Sequence, residues 1–144
     1  MTETTLPTGP DPEAIIDYLM TTYPATDMVA IPDAWFFSLD PEKHFPNYAT
    51  IVANDEHDQA SDLERPGVFR LNLGVDRETF EGFEFEAEPD YAALDVILPH
   101  PVYAAQRYIA ILNPSWTTWS ATVIPLIAIA HDRLAAQRER HGLG

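Results

Sequence analysis

The sequence predicts an α+β fold, a two-layer sandwich in which a mainly antiparallel sheet is packed by an N-terminal helix and a long kinked C-terminal helix. Three observations predict it. A helical apolar pattern opens the chain, short β-rich runs separated by proline, aspartate and asparagine turns fill the middle, and a helical stripe broken by one proline closes it. Strands grouped between helices, rather than alternating with them, pair with one another in an antiparallel sheet. Residues 1–144 read as a single domain, with residues 1–10 as a flexible, proline-rich tail.

Each element follows from local chemistry. Asp11 is a good N-cap, Pro12 suits the first helical position, and Ile15, Ile16, Leu19 and Tyr23 recur at helical spacing, so the first helix runs from about Pro12 to Tyr23 before Pro24 stops it. Met28–Ile31 and Trp35–Leu39 flank a Pro-Asp turn and form a hairpin. Tyr48–Asn54 and Val68–Val75 are the third and fourth strands. In the fourth, Phe69, Leu71, Leu73 and Val75 face the helices, while Val68, Arg70, Asn72 and Gly74 face the other side. The acidic stretch 55–65 reads as an exposed loop or short turn. Thr79, Phe80 and Phe83 suit a short helix, and Tyr91–Leu98 another. Pro99 and Pro101 bracket His100 in an extended turn, and Tyr108–Leu112 is a fifth strand ended by Asn113 and Pro114. Ser115 or Thr117 caps the last helix, whose stripe is Ile124, Ile127, Ala128, His131, Leu134 and Ala135, and which Pro125 kinks or restarts.

Composition narrows the function classes. There are 23 acidic residues against 8 basic ones, a formal charge of -15, and Lys43 is the sole lysine. Such a surface repels nucleic acid, whose binding depends on cations that displace counterions, and Arg133, Arg138 and Arg140 read as a solvated helix end. With no cysteine there is no disulfide framework and no thiolate nucleophile. The first twelve residues lack the features of a signal peptide, and no apolar run is long enough to span a bilayer, so the expectation is no membrane and a cytoplasmic location.

Three stretches carry a resemblance: FPNYATIV at 45–52, DLERPGVFRLNLGV at 62–75, and HPVY with ILNPS between 100 and 115. Together they resemble an actinobacterial domain-of-unknown-function family, number 6194, across most of the chain from Ile15 to Ala135. The family implies no activity. In architecture the chain is also similar to the MmcQ/YjbR group, which implies DNA binding through the open sheet face; the acidity of this sequence argues against carrying that over.

Arg70 and Asn72, two apart on one strand face, present a guanidinium fork and an amide to one ligand, unless Arg70 pairs with a local acid. His100 in its proline-flanked turn is the candidate for acid–base chemistry, and no nucleophile or oxyanion motif accompanies it, so no catalytic residue is assigned beyond that candidate. Asp55, Glu56, His57 and Asp58 have metal-ligand chemistry without calcium-loop spacing, and read as a solvated loop; no metal site and no cofactor is assigned. His131 within the apolar stripe reads as a packed core residue, and His44 and His141 give no signal. There is no P-loop, dinucleotide fingerprint, zincin motif or nucleophile elbow. The leading expectation is a domain binding an anionic or aromatic small molecule: Arg70, Asn72 and Thr50 form the polar contacts, Trp35, Tyr103 and Trp116 the walls, and His100 the rim. The alternative is an acidic module for a basic protein partner, and nucleic acid ranks last.

Overall fold

The computed structural model describes residues 5–140; the first four residues and His141, with the rest of the C-terminus, lie outside them. Helix α1 spans Pro12–Thr22, capped by Asp11, whose carboxylate accepts from the Ala14 amide at 2.8 Å. Strands β1 (Asp27–Ile31) and β2 (Ala34–Ser38) form the expected hairpin, with Asp33 at positive φ in its two-residue turn. Strands β3 (Asn47–Val52), β4 (Arg70–Gly74), β5 (Leu98–Pro99) and β6 (Tyr108–Leu112) complete a sheet ordered β1-β2-β3-β4-β6-β5, antiparallel throughout. Between β4 and β5 lies α2, Arg77–Gly82.

The described residues close with 25 residues of helix: α3 (Trp116–Thr118), a π turn (Trp119–Val123) and α4 (Ile124–Arg140). Ser115 caps it. The irregularity falls in the turn before Pro125, because the proline lacks an amide hydrogen and its ring crowds the Ala121 carbonyl; the Ile124 amide bonds instead to Trp119, five residues back. Helices α1 and α4 cover one sheet face. Their Ile15, Leu19, Ile127 and Leu134, with Val123 of the π turn, pack on Phe37, Ile51, Leu71 and Ile111 of the sheet. Tyr48 enters the same core through a bulge, since Phe37 pairs with Ala49 but Ser38 with Asn47, which leaves Tyr48 unopposed. His131 packs as expected, stacked on Tyr23 with ring centroids 4.1 Å apart.

The opposite sheet face is half covered. Loop residues Leu63 and Val68 pack with Ala34, Val52, Leu98 and Leu112 in a second, smaller cluster. Three sequence expectations need correction. Tyr91–Leu98 is not a helix: Asp95 takes positive φ, its amide bonds to the Leu112 carbonyl, and its carboxylate accepts from the Ser115 amide, so tertiary bonds replace the helical ladder. Residues 5–10, read as tail, make specific contacts: the Thr8 carbonyl accepts from the Trp116 amide, and Gly9 lies directly on Pro114. Arg138 is not wholly solvated, since it pairs with Asp40 at 3.4 Å.

Candidate functional site

The β-register decides what faces the uncovered part of the sheet. One row of cross-strand partners runs Phe36, Thr50, Asn72, Ala110, Leu98, and the next runs Ala34, Val52, Arg70, Leu112. Strand alternation therefore puts Thr50, Asn72 and Arg70 on one face, as the β4 pattern predicts. Above them opens a cleft of about 490 Å³, within the usual range for small-ligand sites. Its walls are Phe36, Phe45, Tyr103 and Tyr108, and its floor is polar.

Thr50, Asn72, Arg70, His100 and Tyr103 all line this cleft, so the sequence reading brings five of its seven residues together. Trp35 does not belong with them. It pairs with Ile51 and packs among the helix-facing core residues, because neighbours in a strand point to opposite sides and Phe36 takes the cleft side. Trp116 is half-exposed at the start of α3 and does not line the cleft either. Their place is taken by Phe36, Phe45 and Tyr108. Tyr108 sits opposite Gly74 on β4, where the missing side chain lets its ring lie flat across the strand, and its hydroxyl donates to the Asn47 carbonyl on β3.

Arg70 is only 2% exposed, and its guanidinium is almost fully used. Nε donates to Asn72 Oδ1 at 3.0 Å; Nη1 donates to Asp58 Oδ1 at 3.0 Å and to Ser61 Oγ at 2.9 Å; Nη2 donates to Asp58 Oδ2 at 2.7 Å. This is a fork-to-fork ion pair with a buried arginine. It uses four of the five guanidinium hydrogens. Asn72 in turn donates to the Thr50 hydroxyl at 3.0 Å. The carboxyl of Asp58 is held below the usual carboxylate range by these arginine bonds, against the opposing effect of burial.

The loop that delivers Asp58 is therefore not simply a solvated acidic run. Asp55 accepts from the Leu63 amide at 2.8 Å and the Asp55 amide donates to Glu64 at 3.0 Å, which curls the loop back on itself. That curl buries Ser61 and Leu63 and turns Asp58 inward. A pairing over twelve residues of loop leaves no periodic trace in the sequence; the cue available was only that a lone arginine on a strand face needs a counter-charge.

His100 is 5% exposed. Its Nδ1 lies 3.0 Å from the Val102 amide and 2.9 Å from that of Tyr103, and accepts from both. The ring proton is thus on Nε2. Burial, reinforced by the charge of Arg70, pushes the imidazole pKa down to about 4. His100 is a neutral imidazole fixed in one tautomer, able to offer an N–H but not to exchange protons near neutral pH; the acid–base role expected of it has no support in this geometry. Asn47, which lines the cleft and whose carbonyl accepts from the Tyr108 hydroxyl, has a buried side-chain Oδ1 without a partner among the described residues. Among those residues no group of three or more histidine, aspartate or glutamate side chains is placed to hold a metal ion.

A protein-family model described as "Family of unknown function (DUF6194)" matches residues 10–142. The chain belongs to this family. No curated protein and no solved structure matches it. The DUF6194 match takes in every cleft residue, from Phe36 to Tyr108, together with the helices that back the sheet.

Proposed function

We propose that the chain is a small-molecule-binding domain whose ligand seats in the sheet-face cleft, against Phe36 and Tyr108 and over Thr50, Asn72 and His100. The observation that carries this reading is the cleft itself: aromatic walls around a polar floor where hydrogen bonds lock Arg70, Asn72 and Thr50 to one another and His100 to the backbone. Of the anionic and aromatic ligands expected from the sequence, the geometry favours the aromatic, because the charge of Arg70 is already met by Asp58. The binding class needs no catalytic residue, which agrees with the neutral His100. The remaining parts of the sequence reading belong to this same proposal: an actinobacterial, cytoplasmic protein with an architecture like the MmcQ/YjbR group, supported by the RPGVFRLN block and by the order helix, sheet, closing helix.

The test is a thermal-shift screen of aromatic compounds, with hits repeated on Phe45→Ala and Tyr103→Ala. Both residues are more than half exposed, so their removal leaves the core intact. A ligand at a hundred times its Kd adds about 2.7 kcal/mol of stability. Each variant is expected to weaken binding at least fivefold at an unchanged melting temperature; hits indifferent to both variants would place the ligand elsewhere.

A second reading, an acidic module for a basic protein, is favoured by the segment 78–90. Glu78, Glu81, Glu86 and Glu88 are exposed, and no ion pair among the described residues involves them. Binding of this kind weakens steeply with salt, whereas aromatic cleft binding does not.

A further inference from the structure

The polar groups lining the cleft divide unevenly into donors and acceptors. His100 Nδ1 is saturated by two backbone amides, so the opposite edge of the ring, carrying Nε2–H, is turned away from that backbone and finds no acceptor among the described residues. The Thr50 hydroxyl accepts from Asn72, and its own hydrogen likewise has no acceptor there. One Asn72 amide hydrogen and one Arg70 Nη2 hydrogen are uncommitted by the same count. On the acceptor side of the floor, Asp58 takes both arginine nitrogens and the Ala60 amide, and Asn72 Oδ1 takes Arg70 Nε; the acceptors left open are at the cleft's other lining amides, the buried Asn47 Oδ1 and the exposed Gln106 side chain. The floor is rich in donors.

Donors alone do not distinguish an anion from a neutral acceptor; charge does. Arg70 is the sole lysine or arginine lining the cleft, and Asp58 neutralises it bidentately. His100 carries no charge with its tautomer fixed as it is. The chain around the cleft has a formal charge of -15, which raises the cost of bringing in an anion. An uncharged acceptor meets the same hydrogen-bond donors without that cost, and the four aromatic side chains that line the cleft suit a ring.

We infer that the cleft binds an uncharged ring compound bearing a carbonyl oxygen, which accepts from His100 Nε2–H. This rests on the cleft being the binding site, and adds which chemistry it selects. A carboxylate of the same shape is discriminated against, and a hydrocarbon of the same shape loses the one directed bond.

Three isosteric probes test it on the full chain: 2-acetylnaphthalene, 2-isopropylnaphthalene and 2-naphthoate, titrated at neutral pH and followed by the amide spectrum of the ¹⁵N-labelled protein. The expected order is ketone about tenfold tighter than hydrocarbon, and carboxylate weaker than ketone. In His100→Asn, the shorter amide oxygen replaces Nδ1 as acceptor for the Val102 and Tyr103 amides but offers no donor at the Nε2 position, so the ketone's advantage falls to within about twofold. Should that variant fail to fold, the Hε2–Nε2 resonance of His100 in the histidine-labelled wild type decides instead, since it shifts with the ketone and not with the hydrocarbon. Binding with ketone and hydrocarbon equal, or with carboxylate the tightest, overturns the inference and leaves the cleft as a binding site. If none of the three moves the resonances of cleft residues, the binding-site reading fails and this inference with it.

Discussion

Arg70 and Asp58 meet fork to fork across the loop that folds over the sheet, 2.7 Å apart at the closest pair, with the arginine almost wholly buried and the carboxylate side chain 12% exposed. The relationship changes what removal of Arg70 would do. A ligand clamp can be deleted without harm to the fold, but deleting one half of a buried pair strands the other half in a low-dielectric site.

The first prediction is that Asp58→Asn and Arg70→Ala each destabilise the protein by about 3 kcal/mol, whereas Arg70→Met combined with Asp58→Leu costs clearly less than the sum of its single changes. Urea unfolding of the wild type, Arg70→Met, Asp58→Leu and the double variant measures the cycle. Additive costs would show that the two side chains do not act as a pair in solution.

The second prediction concerns pH. His100 has its pKa pushed down to about 4 by burial and by Arg70, from 6.5 in the unfolded chain. Between these values the unfolded state binds the extra proton, so stability falls as pH drops from about 6.5 towards 4, by an amount on the order of 3 kcal/mol if this residue acts alone. The groups facing it are Arg70, which reinforces the shift, Asp58, which opposes it, and the rings of Tyr103 and Tyr108. Asp58, held low by Arg70, contributes in a different window: its stabilisation is present above the ordinary carboxylate pKa and is lost only as pH falls through its lowered value. Denaturant midpoints at pH 7, 5.5 and 4.5 are therefore expected to decline in the wild type and to decline less in His100→Asn. Parallel declines would assign the pH dependence to other groups.

The sequence was most legible where a period of two or 3.6 met a burial boundary. In β4 the apolar and polar residues alternate strictly, so the cleft placement of Arg70 and Asn72 followed from the pattern. In β2 the run Trp35, Phe36, Phe37 has no such alternation, and only the pairing of Phe36 with Thr50 reveals which aromatic faces the cleft. Asp58, Ser61 and Leu63 were hidden for a different reason. Their inward turn is produced by side-chain bonds within an irregular loop, and those depend on where the sheet lies beneath it. The supposed helix at 91–98 had the composition of a helix, but the two tertiary partners of Asp95, Leu112 and Ser115, fix a left-handed residue in its middle.

The third prediction tests the N-terminal segment. A Cβ on Gly9 would fall 1.8 Å from the Pro114 carbonyl oxygen, a clash with backbone that no side-chain rotation relieves. Gly9→Ala is expected to lift the segment, break the bond from the Trp116 amide to Thr8, and cost about 2 kcal/mol. Hydrogen exchange at Trp116 reads this directly: faster exchange in the variant is the expected result, and unchanged protection would mean that the segment does not pack there.

The last prediction concerns the wall that Tyr108 forms. A Cβ on Gly74 would lie 2.9 Å from Cζ of that ring and 3.1 Å from Cε2, so Gly74→Ala must tilt the ring off the strand and pull its hydroxyl from the Asn47 carbonyl. The cost is expected at about 1–2 kcal/mol, from crowding and from the lost bond together. Tyr108→Phe separates the two, since it keeps the ring in place and loses only the bond, at about 1 kcal/mol. Tyr108→Ala removes the obstruction, so adding Gly74→Ala to it should cost almost nothing further. Because the ring is a wall of the cleft, Gly74→Ala should also weaken aromatic ligands while Tyr108→Phe leaves them nearly unaffected. An equal cost for Gly74→Ala with and without the tyrosine ring would mean that the glycine serves the strand itself rather than the ring that lies across it.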